Sequence, residues 1–230
     1  MRLTQYNYQL KKTRQKKTLF IIVFCILLFI FVNLILTYLI FPVRQNSSSM
    51  SPDIPENSLI MLSPLAKSYE RGDVVLIKSR KPEETKTFKK FCNKFLSFFT
   101  GQQYTPFENE KLAGTKEQLR RIVGMPGDTI YMRDYVMYIK PKSENLFLTE
   151  FEITPKTYNV TFFAAPAGWD SSIGVKGSFD QIVLADDEYF VLGDNRKSTD
   201  DSRLWGAITK DKIAGKALIC YFPFQKIKLF

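Results

Sequence analysis

The longest apolar run of the chain lies near its N-terminus, at residues 18–41, "TLFIIVFCILLFIFVNLILTYLIF", and contains no charged side chain. At a rise of about 1.5 Å per residue, a helix of this length crosses the roughly 30 Å hydrocarbon core of a bilayer. The run is longer than the apolar region of a cleaved signal peptide, and the following "LIFPVRQN" has no small-residue cleavage site. The pattern therefore predicts one transmembrane helix that stays in the protein.

Beyond residue 42, the apolar positions fall into short runs that are rich in β-branched and aromatic residues and bounded by Gly, Pro and Asp. These runs predict a mainly β domain over 42–230, with antiparallel strands at 58–62, 73–78, 118–123, 129–132, 135–139, 181–184, 189–192 and 216–221. Arg133 and Asp134 are expected to form a two-residue hairpin loop between two of these strands.

One segment, the insertion at 81–117, breaks the strand pattern. Apolar side chains recur there at helical spacing, and the neighbouring lysines lie mostly on the other face: Phe88, Phe91, Cys92, Phe95, Leu96 and Phe99 form the apolar face. The spacing predicts a short amphipathic helix. It leaves open whether the apolar face packs on the sheet or lies in the lipid interface.

The net charge of +10 is concentrated before the apolar run. Six basic side chains and no acidic one occur in residues 1–17, so the other 213 residues carry 27 basic and 23 acidic side chains. By the positive-inside rule, residues 1–17 form a cytoplasmic tail and 42–230 lie outside the cytoplasmic membrane. The remaining balance of 27 − 23 = +4, without an arginine-rich helix or RNP-like strand, gives no reason to expect nucleic-acid binding.

The chain contains no histidine, which excludes Ser-His-Asp and Cys-His catalysis. Without histidine or a CxxC pair, we expect no metal site and no cofactor. Cys25 lies in the predicted span, and the sequence leaves open whether Cys92 and Cys220 are bonded. A serine nucleophile in this chain would need a different base, such as a lysine whose pKa is lowered by desolvation.

The segment "SSSMSPDIP" at 47–55 follows the apolar run closely and has two interpretations. Serine clusters followed by prolines are typical of solvated linkers. Alternatively, one of these serines is a nucleophile close to the membrane surface. Composition alone does not decide between them.

Four motifs occur in a fixed order after the basic tail and the spanning segment: "SSSMSP", "RGDVVLIK", "RRIVGMPGD" and "GDNRKSTDDSRLWG". In this order they resemble the bacterial type I signal peptidases, membrane-bound serine proteases of the Ser/Lys dyad type. The resemblance covers most of residues 18–225, and its last two motifs are the most specific. It implies the family's antiparallel β-sheet fold, and cleavage of N-terminal signal peptides from exported preproteins at the outer face of the cytoplasmic membrane.

The resemblance also implies roles for individual residues. The family's nucleophile is the serine directly before Met, here Ser49. Its oxyanion site uses the backbone N–H of that serine and, in many members, a hydroxyl two residues earlier, here Ser47. Supporting residues in the last motif are Asp194, Thr199, Asp201 and Arg203. Of these, Thr199 matches the hydroxyl that orients the general base, and Asp201 and Arg203 match an acid and base pair near the site.

The chain departs from the family pattern at Arg120, which occupies the position of the lysine base. A guanidinium resists deprotonation and offers no lone pair to a serine proton. Lys78 and Lys116 are the nearest lysines in sequence. Two functions therefore remain: a signal peptidase with an atypical base, or a membrane-tethered homologue that binds exported chains or assists their assembly without cutting them.

Overall fold

The computed structural model describes residues 2–78, 117–162, 177–197 and 200–230. Its first element is helix α1, Arg2–Tyr38, which contains one segment long and apolar enough to cross a membrane, Thr13–Ile35, with a mean hydropathy of 3.1. The helix starts before the predicted span and ends at Tyr38, and Phe41 already belongs to a strand. Pro42 explains this end, because proline disfavours the helical conformation of the residue before it.

Two antiparallel sheets make up the rest of the described fold. The strands are β1 Phe41–Arg44, β2 Leu59–Ser63, β3 Val74–Ile77, β4 Gln118–Gly124, β5 Thr129–Arg133, β6 Val136–Lys140, β7 Leu148–Thr149, β8 Phe179–Val183, β9 Glu188–Leu192, β10 Ile208–Thr209, β11 Ile213–Phe222 and β12 Lys228–Leu229. The larger sheet has the order β1-β2-β11-β3-β4-β9-β10, with β12 beside β11, and the smaller has the order β7-β6-β5-β8. Every pairing between these strands is antiparallel, so the mainly β prediction is confirmed.

The core follows from the side-chain alternation of the strands. In β2 and β6 every second residue is buried, as expected for strands with one face on the core. All four residues of β3 are buried, because β3 lies between β11 and β4 in the centre of the larger sheet. The core cluster beneath β2, β3 and β11 also contains Met50 and Ile54, both fully buried. This burial anchors the segment that carries the serine cluster.

The structure corrects the predicted hairpin loop. Arg133 pairs with Val136, so the two loop residues are Asp134 and Tyr135 rather than Arg133 and Asp134. Both have positive φ, 48° and 66°, which is the conformation of the two-residue turn that matches strand twist. Strands β1, β7, β10 and β12 were not predicted, because runs of two to four residues are too short to show an alternating pattern.

Candidate active site

Ser49 lies in a short 3₁₀ turn, Ser48–Met50, that follows β1 and in which Ser49 and Met50 are buried. Its side chain is only 7% exposed, and the next residue, Met50, is fully buried in the core. The Ser49 carbonyl accepts a hydrogen bond of 3.0 Å from the backbone N–H of Asn195, in the "GDN" motif. The serine is therefore held at the surface of the core, and the linker interpretation is wrong for this part of the segment.

Three polar side chains surround the Ser49 hydroxyl. Gln45 Nε2 lies 3.1 Å from Ser49 Oγ, Ser47 Oγ lies 3.0 Å from it, and Arg120 Nη1 lies 3.2 Å from it. Ser47 is exposed, whereas Gln45 and Arg120 are buried. Ser47, the predicted oxyanion residue, and Arg120, at the predicted base position, thus both contact the hydroxyl oxygen of the predicted nucleophile.

Arg120 lies in β4, where it pairs with Val75 of β3, and it is 4% exposed. Its guanidinium N–H groups contact Ser49 Oγ, the Leu119 carbonyl, Gln118 Oε1 and the Asp200 carbonyl, which lies 2.9 Å from Nε and 2.6 Å from Nη2. These contacts equal the five N–H groups that a guanidinium carries. Arg120 therefore acts only as a donor, and Ser49 Oγ is one of several oxygen atoms that accept its hydrogen bonds.

Burial lowers the pKa of Arg120 to about 10, against the opposing effect of the Asp201 and Asp200 carboxylates. A guanidinium with this pKa is still protonated at neutral pH, so Arg120 contributes a positive charge to the site and not a proton acceptor. The charge is desolvated, which strengthens its effect on any negative charge that forms on Ser49.

Asp201 and Arg203 form a fully buried ion pair beside Arg120. Arg203 Nε lies 2.9 Å from Asp201 Oδ1, and Nη2 lies 2.8 Å from Oδ2. Two short helices follow α1 in the described chain, α2 at Glu150–Ile153 and α3 at Ser202–Trp205. The Asp201 carboxylate also accepts a hydrogen bond from the Arg203 backbone N–H and so caps the start of α3. Because Asp200 supplies the carbonyl that binds Arg120, this pair fixes the segment that orients Arg120.

Asp194 binds the neighbouring arginine on β4, Arg121, and not Arg120. Arg121 forms a two-bond ion pair with Asp194, at 2.8 and 2.6 Å, and a third bond to Asp53 at 3.0 Å. Burial alone lowers the pKa of Arg121, but the Asp194 and Asp53 carboxylates and Tyr158 together more than offset it, so that pKa lies above its ordinary value. Through these bonds Arg121 connects Asp53, in the segment after Ser49, with Asp194 of the "GDN" motif. Arg120 and Arg121 have different partners because consecutive strand residues point to opposite faces.

Several predicted site features lie outside the described residues: Thr199, Lys116, Cys92 and the proposed helix of the insertion. Lys78 is described, and its ammonium donates to the Asp211 carbonyl at 2.6 Å. That contact gives no support to Lys78 as a base for Ser49. Cys220 is buried, and its thiol lies 3.3 Å from the Phe222 carbonyl.

The sequence reasoning missed Gln45 and the buried ion pair between Glu150 and Arg196. Glu150 and Arg196 are fully buried and joined by bonds of 2.8 and 2.6 Å, and Tyr158 donates to Glu150 at 2.8 Å. Burial raises the pKa of Tyr158, so its hydroxyl stays protonated. Arg196 stands in the "GDNR" motif, which was a usable signal, but no sequence pattern connects it with Glu150. Within the described ranges, no group of three or more Cys, Asp or Glu side chains could hold a metal ion.

Comparison with known proteins identifies similar chains. The family described as "Signal peptidase, peptidase S26" matches residues 17–222. A signal peptidase I P of Bacillus subtilis subsp. natto is 27% identical over 205 residues, 86% of each chain. A signal peptidase I of Bacillus licheniformis is 25% identical over 226 residues, 95% of this chain and 96% of its own. A solved signal peptidase I of Enterococcus faecalis V583 covers 65% of this chain and 97% of its own, with 20% identity and a TM-score of 0.32.

Proposed function

This chain belongs to the peptidase S26 family of signal peptidases, so it is a hydrolase that cleaves signal peptides, and we propose that Ser49 is its nucleophile. The observation that carries this proposal is the contact set of Ser49 Oγ, with Gln45, Ser47 and Arg120 all within 3.2 Å. The names of the relatives do not favour the alternative of a non-cutting homologue.

In the proposed reaction, Ser49 Oγ attacks the carbonyl carbon of the scissile peptide bond. The negative charge that develops on the carbonyl oxygen is stabilised by the Ser49 backbone N–H and by the Ser47 hydroxyl. Ser47 is suited to this role because its Oγ lies only 3.0 Å from the attacking oxygen and its side chain is exposed. A preorganised donor of this kind is worth about 3 to 4 kcal/mol of the barrier.

Arg120 acts in this proposal as a fixed positive charge beside the nucleophile. It stabilises the negative charge on Ser49 Oγ as the proton leaves, but it does not accept that proton. The Asp201–Arg203 pair holds the neighbouring Asp200 carbonyl in place, and this carbonyl orients the Arg120 guanidinium. Because general-base assistance is typically worth about 10² to 10⁴ in rate, we expect slow cleavage at neutral pH and faster cleavage as the pH rises.

The substrates are preproteins that carry signal peptides, and the site works at a membrane. Helix α1 contains the span Thr13–Ile35, and β1 begins only three residues after the helix ends at Tyr38. From Phe41 to Ser49 is a path of eight residues, which reaches at most about 26 to 29 Å when fully extended. We propose a single pass of the cytoplasmic membrane, with residues 42–230 outside and Ser49 close to the outer surface.

An extended signal peptide would bind by strand addition next to Ser49. Strand β1 is the terminal strand of the larger sheet as described, and Ser49 follows it by five residues. In an extended peptide alternate side chains point the same way, so pockets in the protein would select small residues at positions one and three before the cut.

The test is cleavage of a preprotein by the full-length chain in phospholipid vesicles. Wild type should release the signal peptide, and Ser49→Ala should not. Ser48→Ala is the matched control, because it changes an exposed serine of the same turn and should cleave like wild type. Cleavage that survives Ser49→Ala would refute the serine mechanism.

A further inference from the structure

Gln45 is a buried polar residue beside the nucleophile that the mechanism above does not use. It follows β1 directly and is 5% exposed. Its backbone N–H donates to the Ser58 carbonyl at 2.9 Å, and its carbonyl accepts the Asn57 N–H at 2.6 Å. The main chain of Gln45 is therefore fixed on both sides by the turn before β2.

The orientation of the Gln45 amide follows from its neighbours. Nε2 lies 2.9 Å from the Ser47 carbonyl oxygen, which can only accept a hydrogen bond. The NH₂ end must therefore face this carbonyl, and the same nitrogen lies 3.1 Å from Ser49 Oγ. One of its two hydrogens binds the carbonyl, and the other faces the Ser49 hydroxyl, with the Ser47 hydroxyl slightly farther from Nε2 at 3.3 Å.

A serine hydroxyl accepts two hydrogen bonds and donates one. Arg120, which is a donor only, contacts Ser49 Oγ at 3.2 Å, and Ser47 Oγ is the contact that can accept. We propose that Gln45 is a positioning residue for the nucleophile: together with Arg120 it fills both acceptor sites of Ser49 Oγ and so directs the Ser49 proton toward Ser47. This inference rests on the proposed role of Ser49.

The chemical step that follows is balanced through Ser47 and water. The Ser49 O–H bond breaks as its oxygen bonds to the substrate carbonyl carbon, and the carbonyl electron pair moves to its oxygen. The Ser49 proton passes to Ser47, which releases its own proton to a water molecule or hydroxide ion on its exposed side. During this transfer the Ser49 backbone N–H holds the carbonyl oxygen, and Ser47 donates to that oxygen once it carries the proton received from Ser49. Gln45 and Arg120 stay on Ser49 Oγ while it carries negative charge.

The test compares wild type with Gln45→Met, which has a similar length but no donor, in the full chain in detergent with a fluorogenic signal-peptide substrate. We expect kcat to fall about 10- to 100-fold, as for loss of a hydrogen bond to a charged group. KM should change little, and the rise of kcat/KM with pH should move to higher pH, because the alkoxide has lost a donor. Asn46→Ala, at the exposed neighbour, should match wild type.

The pH profile separates positioning from a general structural defect, which would lower activity by the same factor at every pH. The charged groups that act on the site are Arg120 and, through it, Asp194, Asp200, Asp201 and Arg203. All of them are unchanged in Gln45→Met. A wild-type kcat and an unshifted profile in this variant would overturn the inference.

Two further variants keep the result interpretable. If Gln45→Met gives no cooperative thermal unfolding, Gln45→Glu replaces it, because it keeps the side-chain length and donates only when protonated. Its pH profile must then also differ from that of wild type, and an identical profile would overturn the inference. Ser49→Ala should be inactive. Activity in Ser49→Ala would refute both the proposed nucleophile and the role of Gln45. Wild-type activity of Gln45→Met, together with an inactive Ser49→Ala, would refute only the role of Gln45.

Discussion

Arg120 Nη1 lies 3.2 Å from Ser49 Oγ, across a separation of 71 residues in sequence. The resemblance described above implies a lysine at this position, and lysine differs from arginine in that its amine can lose a proton when it is desolvated. The guanidinium instead holds the serine oxygen through a donated hydrogen bond. We therefore propose that the identity of this one side chain governs how Ser49 is activated.

We predict that Arg120→Lys cleaves faster than wild type. The shorter side chain leaves an amine in a site where Arg120 is 4% exposed, and burial lowers the pKa of a lysine there while Asp200 and Asp201 act to raise it. The neutral amine supplies a general base, worth about 10² to 10⁴ in rate. Cleavage rates of a preprotein between pH 6 and 11 would measure this, with activity rising as the lysine deprotonates.

Arg120→Met is the matched control for this experiment. It keeps an unbranched side chain but removes both the charge and the donors, so it should cleave more slowly than wild type. Equal rates for wild type and Arg120→Lys would contradict the prediction and indicate that another residue is the base. Lys116 would then be substituted first, since Lys78 binds the Asp211 carbonyl.

We predict that the enzyme reads alternate positions of its substrate. Replacing alanine with Phe or Lys at the first or third position before the cut should abolish processing, because those side chains point into the protein from an extended peptide. The same change at the second position is the control, and it should be tolerated. Band shifts of radiolabelled preproteins measure the outcome. Equal cleavage of all variants would rule out recognition by this pattern.

We predict that residues 42–230 face the outside of the cytoplasmic membrane. Six basic residues precede the uncharged apolar run at 18–41 and a single one, Arg44, follows it closely, which favours a cytoplasmic N-terminus. Protease added to spheroplasts should digest a C-terminal epitope tag, and inside-out vesicles should protect it. The reverse pattern of protection would contradict both the orientation and the proposed site of action.

Much of this architecture was predictable, because it depends on local patterns. The alternating strands gave the main strands of both sheets within a few residues, whereas the apolar run gave only the later part of α1, which starts at Arg2, well before the predicted span. The contact between Arg120 and Ser49 came only from the resemblance, since it requires β4 to pair with β3 beneath the serine turn. Gln45 carries no local signal, because its role depends on where β1 ends and on the Asn57 and Ser58 turn. The roles of Arg120 and Arg121 differ because adjacent strand residues face opposite sides of the sheet.

The last prediction concerns acid stability and Asp73, which directly precedes β3 and is fully buried. It binds Lys156 Nζ at 2.5 Å, Lys216 Nζ at 2.6 Å and the Glu70 backbone N–H at 2.8 Å. Burial by itself raises the pKa of Asp73, but the hydrogen bonds from Lys156 and Lys216 outweigh it and hold that pKa below its ordinary value of 3.8. The ionised form is therefore favoured by folding.

The sign of the pH dependence follows from this lowered pKa. The stabilisation is fully present above the unfolded value of 3.8 and is lost as the pH falls through the lower folded pKa. Asp73→Asn should lower the free energy of unfolding at pH 7 by about 2 to 3 kcal/mol, as for lost hydrogen bonds to charged groups. Its difference from wild type should shrink below pH 3.8. Denaturant unfolding of the full chain in detergent at several pH values measures both effects.

Asp186→Asn is the matched control for Asp73→Asn. Asp186 also binds a lysine, Lys142, at 2.8 Å, and its pKa is lowered as well, but the two side chains are 84% and 72% exposed. Solvent screens an ion pair of this kind, so its loss should leave the unfolding midpoint unchanged. If Asp73→Asn also unfolds like wild type at pH 7, or if its deficit stays constant down to pH 2, the buried carboxylate does not stabilise the fold through its charge.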